Sequence, residues 1–197
     1  MLFSFVLYIE KRKKMELTEN HTITRCKEGD KEAFRWVVQT HQQMVFSLAL
    51  KMMADEEEAK DVVQETFIRA WLNIGDYDPQ RPLTTWLYTI ASHLCLDKLK
   101  RTKTIRLQPQ DEQALHHFAS SDDSQQTLEN HEWTSIVRLL ADGLSTKQRL
   151  VFTLCQLEGL SAAEVVQITG MNTLQVKGNL YVARQTIRKR LKELGYE

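Results

Sequence analysis

Apolar positions between Phe34 and Met52 (Phe34, Val37, Val38, Met44, Val45, Leu48, Met52) recur at spacings of three, four and seven, which predicts a helix with one buried face. A second helix is predicted by Ala59, Val62, Val63, Thr66, Phe67, Ala70, Trp71 and Ile74, ending near Gly75. Asp76 to Arg81 reads as a turn-rich loop. Pro82 then suits the first turn of a third helix, whose stripe is Leu83, Trp86, Leu87, Ile90, Ala91, Leu94 and Cys95. Trp133, Ile136, Val137, Leu139 and Leu140 predict a fourth helix, and Ser145 followed by Gln148 offers a capping box for a fifth. A second capping box, Ser161 to Glu164, opens a short helix to about Ile168. Thr169 to Asn172 breaks it, and a longer helix runs from Thr173 to Leu194. With no period-two segment, repeat or heptad run, the fold class expected is all-α: two small helical domains, the second containing a helix-turn-helix.

Composition agrees: 7 Gly and 3 Pro in 197 residues leave few punctuation marks for hairpins. The 26 Lys+Arg and 26 Asp+Glu cancel overall, yet they are unevenly placed. Lys98, Lys100, Arg101, Lys103 and Arg106 form a basic block without an acid. Leu107 to Val137 holds Asp111, Glu112, Asp122, Asp123, Glu129 and Glu132 without a Lys or Arg, and the end of the chain is again basic. The composition from Gln108 to Glu129 is that of a flexible linker. The expected organisation is therefore an extension over 1–20, a helical domain over 21–106, an acidic linker over 107–130 and a helix-turn-helix domain over 131–197. Cys26, Cys95 and Cys155 are odd in number and lack ligand spacing, so neither a disulfide framework nor a metal site is expected, and a reducing cytoplasm is. The apolar opening before Lys11 to Lys14 is too short to span a bilayer and reverses the charge order of a signal peptide.

Three features carry candidate chemistry. On the last long helix, Leu174, Leu180, Ala183 and Ile187 are expected to face inward. That leaves Thr173, Gln175, Lys177, Gly178, Tyr181 and Arg184, with Arg188 beyond, to meet base edges and phosphates in a major groove. On the second helix, Asp61, Gln64, Glu65 and Ile68 form an acidic and amide stripe with an apolar neighbour, suited to a basic protein surface. A solvated face held by Glu56 with Lys60 and Glu65 with Arg69 is the plainer reading of the same residues. Around the third helix, Tyr77, Trp86 and Tyr88 adjoin Lys98, Lys100 and Arg101, and aromatic faces beside cations suit single-stranded nucleic acid. By periodicity Trp86 belongs to the core, whereas Tyr77 and Tyr88 are the better candidates for DNA.

These motifs resemble those of bacterial RNA polymerase sigma factors of the extracytoplasmic-function (ECF) group. Asp61 to Trp71 (DVVQETFIRAW) resembles the segment that grips the clamp helices of the polymerase. Thr84 to Arg101 resembles the promoter-melting, minus-10-reading helix, and Glu158 to Leu191 the helix-turn-helix that reads the minus-35 element. The resemblance implies polymerase contacts from Asp61, Gln64 and Glu65, with Phe67 in packing, and the outward face adds Ile68. The resemblance matches Trp86, Leu87, Tyr88, Asp97 and Arg101 to the minus-10 region and Lys177, Ala183 and Arg184 to the recognition helix, and with the aromatic and basic residues nearby the minus-10 candidates are Tyr77, Trp86, Tyr88, His93, Asp97, Lys98, Lys100 and Arg101. Family members commonly carry Asn near His93, Ser at Gly178, and Arg at Asn179 and Val182, so base preference does not transfer from relatives. The implied partners are core RNA polymerase, promoter DNA and an anti-sigma factor, with no cofactor and no small-molecule substrate. A conventional helix-turn-helix regulator binding duplex DNA alone is the rival reading. An enzyme is disfavoured, because the six His residues, Ser and Cys fall in no ligand or nucleophile motif.

Overall fold

The computed structural model describes residues 19–107, 143–193 and 195. Most of the N-terminal extension, the acidic linker and the helix expected from Trp133 lie outside the described residues.

Helix α1 covers residues 19–27 and inserts Ile23 and Cys26 into the core. Asp30 ends the following turn and caps α2 (Lys31–Met53), its carboxylate accepting from the Glu32 and Ala33 amides while Arg25 pairs with it from α1. The Ala33 amide foremost, then the Arg25 guanidinium and the Glu32 amide, hold the Asp30 carboxyl below its ordinary range. Asp55 caps α3 (Glu56–Leu72), a short 3-10 turn follows at Ile74–Asp76, and α4 (Leu83–Leu107) begins directly after Pro82. Val37, Val45 and Leu48 of α2, Val62 and Phe67 of α3, and Leu83, Leu87 and Leu94 of α4 are buried together.

Both expected capping boxes are present. Ser145 and Gln148 start α5 (Thr146–Phe152), and Ser161 and Glu164 start α6 (Ala162–Thr169). Between them the chain loosens into a π turn at Thr153–Leu157, in which the Glu158 amide reaches back five residues to the Thr153 carbonyl at 2.9 Å. Gly170 closes α6 at φ 68°, a left-handed position that suits glycine, and α7 (Thr173–Glu193) packs Val176, Ala183 and Ile187 on α5 and α6. Among the described residues every regular element is helical.

The two halves do not stand apart. Leu150, Leu154, Val165, Ile168 and Val176 join the same core as α2, α3 and α4. The cause is visible on α4: Thr85, Tyr88, Ser92 and Cys95 are buried besides Leu83, Leu87 and Leu94, an arc too wide for one stripe. One flank meets α2 and α3, and the other meets α5 and α6.

Candidate nucleic-acid and protein interfaces

The amphipathic faces of α2 and α3 do not close fully on each other. A cleft of about 830 Å³ remains, lined by Phe34, Val38 and Phe46 from α2 and by Gln64, Phe67 and Ile68 from α3. Its wall is aromatic: Phe34 meets Trp71 at 5.0 Å and Phe67 edge-on at 6.4 Å between centroids. Ile68 and Leu72 stand out on its rim, with Leu72 73% exposed, and Asp61 and Gln64 continue that exposed side towards the start of α3. The stripe expected from sequence is thus brought together, but two acids are already engaged. Glu65 accepts from Arg69 at 2.7 Å, and Asp61 lies 3.3 Å from Lys98, which also pairs with Glu58. Burial works against the Lys98 charge, but the bonds from Glu58 and Asp61 prevail and raise its pKa. Lys60 answers Glu57 at 2.8 Å and Glu56 at 3.2 Å. Sequence reasoning missed Leu72 and the α2 wall; the signal available for them was the apolar surplus of both helices beyond one stripe.

The aromatic assignments around α4 need correction. Tyr77 and Tyr88, expected to meet DNA, are each only 5% exposed. The Tyr77 hydroxyl donates to the Arg81 carbonyl at 2.6 Å, so the ring braces its own loop from within, and burial lifts its pKa to about 12. The Tyr88 hydroxyl donates to Glu158 at 3.0 Å, and burial, then that carboxylate, push its pKa up. Trp86 is the half-exposed ring, resting on Tyr77 at 5.2 Å. At helical spacing it shares a side of α4 with His93, Asp97 and Lys100, all exposed, and Arg101 is exposed beside them. Asp97 and Lys100 lie 3.7 Å apart. Lys98 departs from that face, turned to α3 by Glu58 and Asp61. Lys27 fixes the loop from below by donating to the Gly75 and Tyr77 carbonyls at 3.2 and 2.9 Å.

On α7, Thr173, Lys177, Gly178, Tyr181, Arg184 and Arg188 are exposed as expected. Arg184 is oriented by two hydrogen bonds to the Gln156 amide oxygen, at 3.0 and 3.2 Å. Gln175 is used otherwise: its amide oxygen accepts from the Asn172 backbone while the Asn172 side chain accepts from the Gln175 amide, both at 2.9 Å, so it closes the helix N-terminus. Leu174, expected inside, is 81% exposed, and Val176 takes the inward place. The stripe is Val176, Ala183 and Ile187, one register away from an apolar pattern that counts Leu174. The sequence reading also missed Glu158. Its carboxylate sits between the halves, accepting from Ser47 at 2.9 Å, Lys51 at 2.7 Å and Tyr88 at 3.0 Å.

Among the described residues no group of three or more His, Cys, Asp or Glu side chains is placed to hold a metal ion, and no helix is long and apolar enough to cross a membrane.

A helix-turn-helix with an exposed basic second helix is the arrangement of a nucleic-acid-binding factor, and the first half of this chain carries an apolar cleft besides. The family models match accordingly: sigma-70 region 2 over residues 37–105 and sigma-70 region 4 over 135–187. The chain is 28% identical over 187 residues to the ECF RNA polymerase sigma factor SigW of Bacillus subtilis, covering 91% of this chain and all of that one. It is 32% identical over 165 residues to SigL of Mycobacterium tuberculosis, covering 79% of this chain and 86% of that one. Among solved structures, CnrH in complex with the cytosolic domain of CnrY shares the fold at a TM-score of 0.66 and 24% identity, covering 89% of this chain and 98% of that one. The sigma factor RpoE in complex with the anti-sigma factor NepR from Bartonella quintana does so at 0.63 and 20%, covering 81% and 96%. The chain belongs to the ECF sigma factors of bacterial RNA polymerase.

Proposed function

We propose that this chain is a non-enzymatic, cytoplasmic initiation factor that binds core RNA polymerase, places it on a promoter and opens the DNA. The observation that carries this reading is the pairing, in a chain of this family, of the apolar cleft between α2 and α3 with an exposed basic recognition helix. A polymerase helix presenting apolar side chains between basic ones fits the cleft, with Ile68 and Leu72 as apolar anchors and Asp61, Gln64 and Glu65 at the rim. The domain limits taken from sequence, 21–106 and 131–197, are the units we assign to these two tasks.

On the melted strand, the loop braced by Tyr77 and Lys27 forms one wall for an unstacked base, and Trp86, His93, Asp97, Lys100 and Arg101 give the strand a stacking face and charge. Each captured base contributes roughly 1–3 kcal/mol of stacking against an unpairing cost of a few kcal/mol, so melting runs on binding free energy and needs no cofactor. In the duplex, Lys177, Arg184 and Arg188 supply phosphate and base-edge contacts from α7. RpoE of Bartonella quintana is held by an anti-sigma factor, and we propose a partner of that class for this chain.

The test is run-off transcription from a promoter library with purified core polymerase, with and without the chain. Transcripts that require it, and that Ile68→Glu abolishes without loss of folding, are expected. Duplex binding with no effect on polymerase would instead support a conventional regulator.

A further inference from the structure

The side of α7 turned directly away from its core is not the polar face of an ordinary surface helix. Val176, Ala183 and Ile187 define the buried side, and at 100° per residue Leu174, Gly178, Tyr181 and then Gln185 lie opposite, with Lys177 and Arg188 along one flank. Leu174 is 81% and Tyr181 65% exposed, and Gly178 sits between them. Nothing internal requires that glycine: its φ is helical, and a Cβ added there would meet no atom within 4 Å. Two large apolar groups and a bare stretch of backbone on one solvent face are unfavourable in water. They are what a helix needs to lie close to a surface that is itself locally apolar.

We propose that Leu174 is a specificity-determining residue of the minus-35 contact, reading the C5-methyl group of thymine in the major groove, with Gly178 letting the α7 backbone approach the base edges. The inference rests on the initiation-factor reading and deepens it. The thymine methyl is the one apolar feature a base pair offers in the major groove, and Leu174 lies in the first turn of α7, the end of a recognition helix that meets base edges. Charge complementarity fixes the occupant, since Lys177, Arg184 and Arg188 run along one flank of this apolar strip, where they complement phosphates. Gln175, bound into the helix cap, leaves Leu174 as the neighbouring reader.

The experiment uses the full chain with core polymerase to select bound duplexes from a library randomised upstream of the start site. The selected duplex is then resynthesised with deoxyuridine replacing each thymine in turn, which removes only the methyl. At one or two upstream positions the replacement is expected to weaken wild-type binding about four-fold, the scale of one buried methyl group. Leu174→Ala is expected to be indifferent to the same replacement while retaining its melting temperature, because the side chain touches no core. A wild type insensitive to deoxyuridine throughout, or a Leu174→Ala protein that responds as the wild type does, overturns the inference and leaves the initiation reading standing. Leu174→Ala that keeps DNA selection intact but loses a protein partner also overturns it. Failure to select any duplex with polymerase overturns both.

Discussion

The hydroxyl of Tyr88 on α4 donates to the Glu158 carboxylate at 3.0 Å, across the boundary between the two halves of the chain. With Ser47 and Lys51 on the same carboxylate, and with Arg149 donating to the Lys51 carbonyl at 3.2 Å, it forms a polar seam within an otherwise apolar contact. Glu158 is expected to be the most sensitive position of that seam. Glu158→Ala removes the only carboxylate paired with Lys51 among the described residues and the acceptor of the buried Tyr88 hydroxyl and should cost about 3 kcal/mol, whereas Tyr88→Phe, losing one hydrogen bond, should cost about 1 kcal/mol. Urea denaturation followed from both halves checks this: coincident transitions in the wild type and separated ones in Glu158→Ala, with a larger radius of gyration in scattering. Coincident transitions in the variant would show that the seam does not couple the halves.

Tyr77 and Trp86 touch each other but should respond differently to truncation. Tyr77→Ala empties a buried site and removes the bond to Arg81, for an expected loss of about 3–5 kcal/mol. Trp86→Ala should cost less than Tyr77→Ala, about 2–3 kcal/mol, because Trp86 is only partly buried against the core. Its effect belongs in promoter opening, read by permanganate reactivity of melted thymines, and a Trp86→Ala protein that melts DNA normally would remove Trp86 from the strand contact.

His41 is buried on α2 with its Nε2 unbonded among the described residues, edge-on to Trp36 and 3.7 Å from Glu19. Burial lowers its pKa from the ordinary 6.5, so the folded state binds the proton less readily than the unfolded chain. The stability associated with neutral His41 is therefore complete above that ordinary pKa and declines as pH falls through it towards the folded value. Unfolding free energies measured from pH 7.5 to pH 5 should fall for the wild type, and Leu at position 41 should flatten the part of the slope due to this group.

Gly178→Ala separates stability from recognition. With no neighbour for the added methyl, the change should stabilise the helix-turn-helix by about 1 kcal/mol, the ordinary Gly-to-Ala difference inside an exposed helix. Promoter affinity should fall at the same time. Higher melting temperature with unchanged affinity would show that the α7 backbone does not closely approach the base edges at this position.

Helices α2, α3, α4 and α7 were legible from the chain because their amphipathic periods are long, and the short α5 and α6 because Ser145 and Ser161 cap their starts, whereas the nine-residue α1 was not read from sequence. The acidic stripe of α3 and the charged face of α4 were legible for the same reason, since polar periodicity mirrors apolar periodicity. What escaped was what depends on a second surface. Tyr88 looks outward from the first helical unit and becomes buried only because α5 and α6 cover it. Leu174 counts as core on hydropathy alone, yet the inward register belongs to Val176, two residues on. Glu158 carries no local signal, because its three side-chain partners lie 70 to 111 residues away in the chain.

The π turn at Thr153–Leu157 makes the seam a matter of chain length as well as side-chain chemistry. A five-residue hydrogen-bonded step holds one residue more than an α-helical step, and one residue is about 100° of helical rotation. Deleting a single residue between Thr153 and Leu157 would restore the regular ladder and swing the Glu158 carboxylate away from Lys51, Ser47 and Tyr88, although no charge in the chain had changed. In a pairwise alignment such a change would register only as a one-residue gap beside the helix-turn-helix, while in three dimensions it would undo the polar seam and leave only apolar packing between the two halves.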